Sequence, residues 1–417
     1  MKKYAEELDA SDPLSRFRKK FFIDDPELIY LDGNSLGRLP LDSITSAKNL
    51  VEKEWGVDLI RGWGKGWLNS PEKISEKLAK VIGAQPEEVI IADSTSINLF
   101  KLVLSALKFQ SSKREIITDD LNFPSDLYVL EAVVKVVEMD HEIKIINSED
   151  GIMGPEKKII SNITDKTALV TLSHTTFKSG YTYDLIKITQ AAHQKGALTI
   201  FDLSHSVGSM PIHLNKDNVD MAVGCTYKYL NGGPGAPAFI YIRKDLMEKL
   251  INHIYGWMGK KDMFDFSLEY DPDPTIRQFL TGTIPVLSTL LIENGVNLIL
   301  EAGIDNLRQK SIKQTDYLIN LWNDELKKIG FSMNSPIETS RRGSHISLGH
   351  EEGWRIDQAL INDMKVIPDF RTPNLLRLGI APLYTSYVDI YKAIQRIKEV
   401  VEQGIYKKYS KEKLKVT

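Results

Sequence analysis

Short apolar stretches alternate with longer helical patterns through the middle of the chain. The candidate strands are Glu88–Ala92, Glu115–Thr118, Leu169–Ser173, Leu198–Asp202, Met221–Gly224 and Phe239–Ile242. Several of them are apolar throughout, which is typical of strands that are covered on both faces. Segments with helical periodicity lie between them, at Ile97–Lys108, Asp126–Val137 and Ile186–Lys195. This alternation predicts a three-layer α/β/α fold with a mostly parallel central sheet.

The two ends of the chain have a different pattern. Turn-rich segments dominate the first part of the chain, and a long helical region, Leu290–Ile329, and a final helix, Val388–Gln403, follow the alternating region. We therefore expect a large α/β domain over residues 70–290. We expect residues 1–69 and 291–417 to form a second, smaller α+β domain.

Composition and charge narrow the classes of function. Of the 417 residues, 42% are hydrophobic and 26% are charged, which are ordinary globular values, and the net charge of −3 argues against a protein that binds nucleic acid or anionic membranes. The N-terminus is charged, and the chain has no run of the roughly 18 apolar residues that a membrane helix needs. The single cysteine, Cys225, excludes internal disulfides and a cysteine-based zinc cluster. These features predict a soluble, cytoplasmic protein.

Polar and reactive side chains follow the predicted strands where each strand ends. In open α/β sheets, ligands bind beyond the carboxyl ends of the strands. The segments at these ends are Asp93-Ser94-Thr95-Ser96, Phe123-Pro124-Ser125-Asp126, His174-Thr175-Thr176, Asp202 with Ser204 and His205, and Thr226-Tyr227-Lys228. The sequence therefore predicts a ligand site at this edge of the sheet.

Asp202 and Lys228 are the most informative pair at these strand ends. They are separated by one step from strand to strand, so we expect them to emerge near each other. A lysine that binds pyridoxal phosphate (PLP) as a Schiff base needs a carboxylate beside the pyridine nitrogen, which keeps the ring protonated and able to accept electrons. A buried ion pair within an ordinary α/β protein is the alternative interpretation of these two residues.

Asp93-Ser94-Thr95-Ser96 is a candidate anion site because it opens a predicted helix. Free backbone N–H groups, hydroxyl donors and the positive end of the helix dipole would all face a phosphate there. The same residues are also good helix N-caps, so a purely structural role stays open. Other motifs are missing from the sequence: it has no P-loop, no Gly-x-Gly-x-x-Gly and no His-Glu-x-x-His. The pattern Gly-x-Ser-x-Gly occurs once, at Gly33–Gly37, but it lies in the turn-rich segment Leu31–Pro40 and not between an apolar strand and a helix, as a nucleophile elbow would. We therefore expect no metal, and nucleotide binding and serine hydrolysis are disfavoured.

Taken together, these segments resemble the kynureninase family, PLP enzymes with the aspartate-aminotransferase-like fold (fold type I). The matching segments are Tyr30–Gly37 (YLDGNSLG), Asp93–Lys101 (DSTSINLFK), Phe123–Asp126 (FPSD), Phe201–Gly208 (FDLSHSVG), Gly224–Gly235 (GCTYKYLNGGPG) and Leu376–Tyr384 (LRLGIAPLY). The resemblance runs from about residue 15 to residue 405. It implies hydrolysis of the Cβ–Cγ bond of L-kynurenine, and of 3-hydroxykynurenine as a further substrate, to anthranilate or 3-hydroxyanthranilate and L-alanine in tryptophan catabolism.

The resemblance also implies which residues bind the cofactor. Those residues are Thr95, Ser96, Phe123, Pro124, Ser125, Asp126, Ser173, Asp202, His205, Tyr227, Lys228, Trp257 and Thr283. Lys228 would carry PLP as a Schiff base, Asp202 would pair with the pyridine nitrogen, and Tyr227 would help to hold the phosphate and deliver protons. These three are the expected catalytic residues.

Further positions concern the substrate and the assembly. Arg377 matches the arginine that grips the amino-acid carboxylate, and Trp63 lies in the segment that corresponds to the substrate-side loop. Trp257 and Thr283 match residues that reach the phosphate of the neighbouring subunit, which implies a homodimer with shared active sites. Thr283 stands where some members have asparagine, so the preference between plain and 3-hydroxylated substrate stays open.

Three alternatives have to be weighed against this interpretation. The nearest are other PLP enzymes of the same fold, an aminotransferase or a cysteine desulfurase. A desulfurase needs a mobile catalytic cysteine, whereas Cys225 directly follows a predicted strand next to Lys228. A PLP-sensing regulator would need a basic helix-turn-helix, and residues 1–30 are too short to supply one.

Overall fold

The computed structural model of the protein describes residues 1–137 and 140–412. Its α-helices are α1 Lys2–Ala10, α2 Leu41–Asn49, α3 Ser70–Ile82, α4 Thr95–Phe109, α5 Pro124–Val137, α6 Glu156–Asn162, α7 Leu185–Gln194, α8 Val286–Ala302, α9 Ile304–Leu321, α10 Gly353–Asp363 and α11 Tyr387–Glu402. Its strands are β1 Ile29–Tyr30, β2 Val89–Ala92, β3 Glu115–Asp119, β4 Glu142–Ile146, β5 Thr167–Ser173, β6 Leu198–Asp202, β7 Met221–Gly224, β8 Ala238–Ile242, β9 Ser332–Met333, β10 His345–Gly349, β11 Val366–Ile367, β12 Asp369–Arg371 and β13 Leu375–Gly379.

The central sheet has the strand order β2-β8-β7-β6-β5-β3-β4. It is parallel except for β8, which runs antiparallel to β2 and β7. All the strands expected from the sequence are present, with ends that differ by at most a few residues. The sequence did not reveal β4, because this edge strand is partly exposed and carries charged residues between its isoleucines.

Both faces of the central sheet are covered by apolar packing. Alternate residues of β2 point to opposite sides, so Val89 and Ile91 belong to one buried cluster and Ile90 belongs to the other. The same alternation places Phe201 in the first cluster and Ile200 in the second. A strand that buries both faces has few polar positions, which explains the mostly apolar runs in the sequence.

The long helical region expected over Leu290–Ile329 is divided in the structure. Helix α8 ends at Ala302, and Gly303, with φ +79°, turns the chain before α9 begins at Ile304. Glycine adopts this left-handed backbone without the steric penalty of a side chain.

Within residues 1–137 and 140–412 no single helix is long and apolar enough to cross a membrane. Helix α8 and the segment Ile304–Ile329 reach that length and composition only when they are taken together, and a bend of 80° separates them.

The chain ends pack together beside the central sheet. A third apolar cluster combines Ile29 and Leu31 with residues of α9, α10, α11 and the sheet β12-β13-β10-β9. Phe17 and much of α8 belong instead to the cluster of the central sheet. The division into domains at residues 70 and 290 stays a prediction, and residues 413–417 of the second expected domain lie outside the described residues.

Candidate active site

A cavity of about 540 Å³ opens at the carboxyl ends of the central strands, between the N-termini of α4 and α5. The predicted site residues that line it are Thr95, Ser96, Phe123, Ser125, Asp126, Asp202, His205, Tyr227, Lys228 and Arg377. These residues come from segments spread over almost 300 positions of the chain. The fold thus brings together most of the groups that the strand ends suggested.

Lys228 lies on a tight loop after β7, and the N-terminal turn packs against this loop. The amide of Asn231 donates to the Lys228 carbonyl at 2.9 Å, and the amide of Gly37 donates to the Tyr227 carbonyl at 2.8 Å. A Cβ atom on Gly37 would lie 2.4 Å from the Lys228 carbonyl oxygen, which is closer than side-chain carbons approach. Glycine at position 37 therefore allows the chain to support the lysine loop.

The Lys228 side chain has a defined partner. Its Nζ atom lies 2.9 Å from Nε2 of His205. Burial lowers the pKa of His205 well below its usual range, and the charges of Lys228 and Arg377 lower it further. His205 is therefore neutral near pH 7, and its ring nitrogen can accept a hydrogen bond from the lysine.

Two carboxyl groups, Asp202 and Asp126, are buried in the same region. The amide and the hydroxyl of Ser204 donate to Oδ1 of Asp202 at 2.8 and 2.6 Å. Burial raises the pKa of Asp202, while Lys228 and the Ser204 bonds oppose that rise. The pKa of Asp126 is raised well above its usual range by burial and by the charge of Asp202. Burial and the charge of Asp202 favour the protonated form of Asp126, whereas Lys228 and Ser204 favour the carboxylate form of Asp202.

Tyr227 lies next to the lysine and lines the cavity. The neighbouring Cys225 thiol and burial raise the pKa of Tyr227. Its hydroxyl therefore keeps its proton at neutral pH and can donate a hydrogen bond or a proton.

Hydroxyl groups and two helix N-termini form a site suited to an anion. Ser94 caps α4 by accepting a hydrogen bond from the amide of Ile97 at 3.4 Å. Ser96 Oγ and Ser125 Oγ, from the first turns of α4 and α5, lie 2.8 Å apart. Both helix dipoles place positive potential at this point.

The carboxylate of Asp93, which precedes this turn, is held by other groups. It forms an ion pair with the buried Lys101, and the Thr281 hydroxyl donates to it at 3.3 Å. Asp93 has φ +28°, a conformation that is uncommon outside glycine. The charge of Lys101 thus offsets the negative charge of Asp93 beside the hydroxyl cluster.

Arg377 emerges from β13 into a dense polar network. Its Nη1 donates to the Phe177 carbonyl at 2.6 Å, and its Nη2 donates to Ser35 Oγ at 2.7 Å. Nη2 also forms an ion pair with Asp369 and lies 3.9 Å from Asp32. Burial lowers the pKa of Arg377. The guanidinium group thus lines the cavity in a fixed orientation.

The remaining predicted site residues do not line the cavity of this chain. Pro124 and Ser173 lie next to lining residues, and Ser173 is paired in register with Asp202. Trp257 is 37% exposed, and its Nε1 donates to Thr283 Oγ1 at 3.3 Å. Trp63 packs edge to face against Trp67, with ring centroids 5.8 Å apart.

Sequence reasoning missed some residues that line the cavity. Phe177 packs edge to face against Phe123 with ring centroids 5.2 Å apart, and Arg371 lines the wall near Arg377. Ser35 was within a recognised motif, yet no role was assigned to it. Phe177 directly follows His174-Thr175-Thr176, the segment singled out from the sequence at the end of a strand, so extending that segment by one residue would have included it. Arg371 is visible only once β12 and β13 are known to form a hairpin.

Comparison of the sequence with known proteins gives consistent matches. The family model described as Kynureninase C-terminal domain matches residues 307–397. A protein named Kynureninase from Pseudomonas fluorescens is 38% identical over 402 residues, which cover 95% of this chain and 94% of that protein. A Kynureninase from Burkholderia mallei (strain SAVP1) is 36% identical over 400 residues, with the same coverage.

Comparison with solved structures concerns the fold. The apo structure of a cysteine desulfurase from Thermococcus onnurineus NA1 matches with a TM-score of 0.77 and 19% identity, covering 95% of this chain and 98% of that chain. The cysteine desulfurase CsdA from Escherichia coli matches with a TM-score of 0.78 and 14% identity, covering 94% and 98%. These similarities confirm the predicted α/β fold class with a mostly parallel central sheet.

Proposed function

The chain belongs to the kynureninase family, hydrolases that cleave the Cβ–Cγ bond of L-kynurenine, and we propose that this reaction takes place in the cavity around Lys228. The observation that carries this proposal is the convergence of a lysine, a buried carboxylate, a hydroxyl cluster and an arginine on one cavity. No single one of these groups would suffice, because each also has a purely structural interpretation.

The residues of the cavity fit PLP. We assign Lys228 Nζ to the covalent bond with the cofactor, Asp202 to the pyridine nitrogen and Phe123 to the ring face. Thr95, Ser96 and Ser125 would hold the phosphate between the two helix N-termini, helped by Tyr227. When bound, PLP supplies an electron sink that stabilises negative charge on substrate carbons.

The side chains of this chain divide the remaining tasks among themselves. Arg377 orients the substrate through its carboxylate, since a fixed guanidinium fork matches carboxylate geometry. The free amine of Lys228 would act as the general base that takes the proton from the α-carbon, and its protonated form would act as the general acid that gives a proton back. His205 holds this amine in position at 2.9 Å.

Bond cleavage needs water and a proton donor. A water molecule adds to the γ-carbonyl carbon, and the Cβ–Cγ bond breaks so that the aryl fragment leaves as anthranilate. Tyr227 is the assigned proton donor to the β-carbon, which completes L-alanine. The Tyr227 hydroxyl is protonated at neutral pH, as a proton donor must be.

We propose that the protein acts as a homodimer in the cytoplasm. Trp257 and Thr283 are bonded to each other at the surface rather than in the cavity of their own chain, and they would complete the phosphate site of the partner. The exposed rings of Phe264 and Phe266 extend from Trp257 as a chain of edge-to-face contacts, and exposed aromatic residues are typical of interfaces. The single cysteine suits a reducing compartment.

A turnover assay tests the proposed reaction. The purified protein supplied with PLP is expected to convert L-kynurenine to fluorescent anthranilate and to release equimolar L-alanine. L-Cysteine serves as the competing substrate, because the matched folds include cysteine desulfurases. Sulfide release from cysteine without turnover of kynurenine would reject the proposal.

A further inference from the structure

Arg371 and Arg377 lie on neighbouring strands and share one carboxylate. In the antiparallel pair β12 and β13, Asp369 is the Cα partner of Arg377, and Arg371 follows two residues later on the same strand. Arg371 Nη2 lies 3.1 Å from Asp369 Oδ2, and Arg377 is ion-paired with the same carboxylate. Both arginines line the cavity.

Most donors of Arg377 are already engaged by the protein. The Phe177 carbonyl, Ser35 Oγ and Asp369 accept from its two terminal nitrogens, and its side chain is only 1% exposed. The remaining Nε is buried and without a hydrogen bond among the described residues. Arg377 can therefore offer an incoming carboxylate only part of its hydrogen-bonding capacity.

Arg371 has the opposite character. Its side chain is 36% exposed, and within the described ranges its recorded ion-pair partner is Asp369 through Nη2 alone. Its Nε is buried and without a hydrogen bond among the described residues, and the side chain lines the cavity. An arginine fork of this kind binds carboxylates in a two-point geometry that a lysine does not reproduce.

The local charges favour the arrival of an anion. Asp32 and Asp369 are the carboxyl groups that form ion pairs with the two arginines. The buried carboxyl group of Asp357, whose pKa is raised by burial to about 7, lies near enough to interact with Arg371. Burial and the charge of Asp369 raise the pKa of Asp32 to about 7, so that Asp32 is largely protonated at slightly acidic pH. One carboxylate then faces two guanidinium groups, and the surplus positive charge matches one substrate carboxylate.

We propose that Arg371 is a substrate-binding residue that holds the α-carboxylate of the amino-acid substrate together with Arg377. This inference rests on the proposed function, because it concerns the same substrate. The two arginines would make the site specific for α-amino acids over amines that lack a carboxylate. Asp369, which pairs with both, would keep the two guanidinium groups at a fixed separation.

The test combines two variants with two ligands. The KM for L-kynurenine and the inhibition constant of its decarboxylated analogue kynuramine are measured for the PLP-loaded wild-type protein, Arg371→Gln and Arg371→Lys, because an active protein would consume L-kynurenine during an equilibrium titration. We expect Arg371→Gln to weaken kynurenine binding by roughly 10- to 100-fold and to leave kynuramine binding unchanged. Arg371→Lys keeps the charge and is expected to recover part of the loss. Arg16→Gln, at an exposed position outside the cavity, serves as the matched control.

The possible outcomes separate the two proposals. Equal losses for both ligands in Arg371→Gln, or no loss for either, would overturn the role of Arg371 while wild-type turnover of kynurenine stays intact. A wild-type protein that neither binds nor cleaves kynurenine would instead reject the proposed function. If Arg371→Gln does not fold, Arg371→Lys replaces it in the comparison with the wild type. We then expect Arg371→Lys to prefer kynurenine over kynuramine less strongly than the wild type does, and an unchanged preference would overturn the role of Arg371.

Discussion

Nε2 of His205 lies 2.9 Å from Nζ of Lys228, and the two residues follow adjacent parallel strands. The imidazole is buried, and its lowered pKa keeps it neutral at physiological pH. A neutral ring can accept a hydrogen bond from the lysine without repelling its charge. The lysine nitrogen is thus held at the cavity wall by the fold itself, before any ligand binds.

Replacing Lys228 by alanine tests the central assignment. We expect Lys228→Ala to lose catalysis by roughly 10²- to 10⁴-fold or more, because the residue is assigned both the cofactor bond and the proton transfer. Borohydride reduction followed by peptide mass spectrometry is expected to find the cofactor on Lys228 of the wild-type protein. The exposed Lys187→Ala serves as control and should retain both properties. An adduct on another lysine of the wild-type protein would refute the assignment.

Replacing Asp202 by asparagine separates charge from shape. The amide oxygen of Asp202→Asn can still accept the bonds from Ser204, so we expect the variant to fold and to bind PLP. Loss of the negative charge is expected to lower kcat by roughly 10²- to 10³-fold. Cofactor absorbance per chain and kcat are measured together, with the exposed Asp120→Asn as control. Full activity in Asp202→Asn would contradict the role of the carboxylate.

Much of this site could be predicted because each strand end is local in sequence. The polar segments at Asp93, Asp202 and Lys228 directly follow apolar runs, and the parallel sheet brings their carboxyl ends to one edge. The break at Gly303 was missed because a single glycine inside a continuous helical pattern does not reveal an 80° bend.

The rest of the site depends on contacts between distant segments. Arg371 enters the cavity only because β12 pairs with β13, and Ser35 does so only because the N-terminal turn packs on the lysine loop. Neither contact leaves a periodic pattern in the sequence. Such pairings are a property of tertiary packing and could not be derived from a single chain without the structure.

A glycine pair tests the support of the lysine loop. A Cβ on Gly37 would meet backbone and side-chain oxygens at 2.4 Å, whereas a Cβ on Gly64 has no atom within 4 Å. We expect Gly37→Ala to lower the free energy of unfolding by about 1–3 kcal/mol and to weaken PLP binding, because the loop must shift. Gly64→Ala is the matched control and should change neither quantity. Calorimetric unfolding measures the free energy of unfolding, and titration with PLP measures the affinity for the cofactor. Equal values for Gly37→Ala and Gly64→Ala would refute the packing argument.

The pH dependence of stability is expected to change at Asp357, a fully buried residue of α10. Burial raises the pKa of Asp357 from 3.8 to about 7, opposed by the Gln358 hydrogen bond and Arg371 and assisted by Asp369 and Asp32. Since the folded protein binds this proton more tightly than the unfolded chain, the stabilising contribution is complete below pH 4 and is lost as pH rises through 7.

Asparagine at this position cannot ionise, so Asp357→Asn escapes that loss. We expect the unfolding free energy of Asp357→Asn, relative to the wild type, to rise by up to roughly 3 kcal/mol between pH 5 and pH 8. Urea unfolding at the two pH values measures the change. For the control Asp305→Asn, at an exposed position, the difference in unfolding free energy from the wild type should be the same at pH 5 and pH 8. A difference for Asp357→Asn that is independent of pH would show that the buried carboxyl does not titrate in this range.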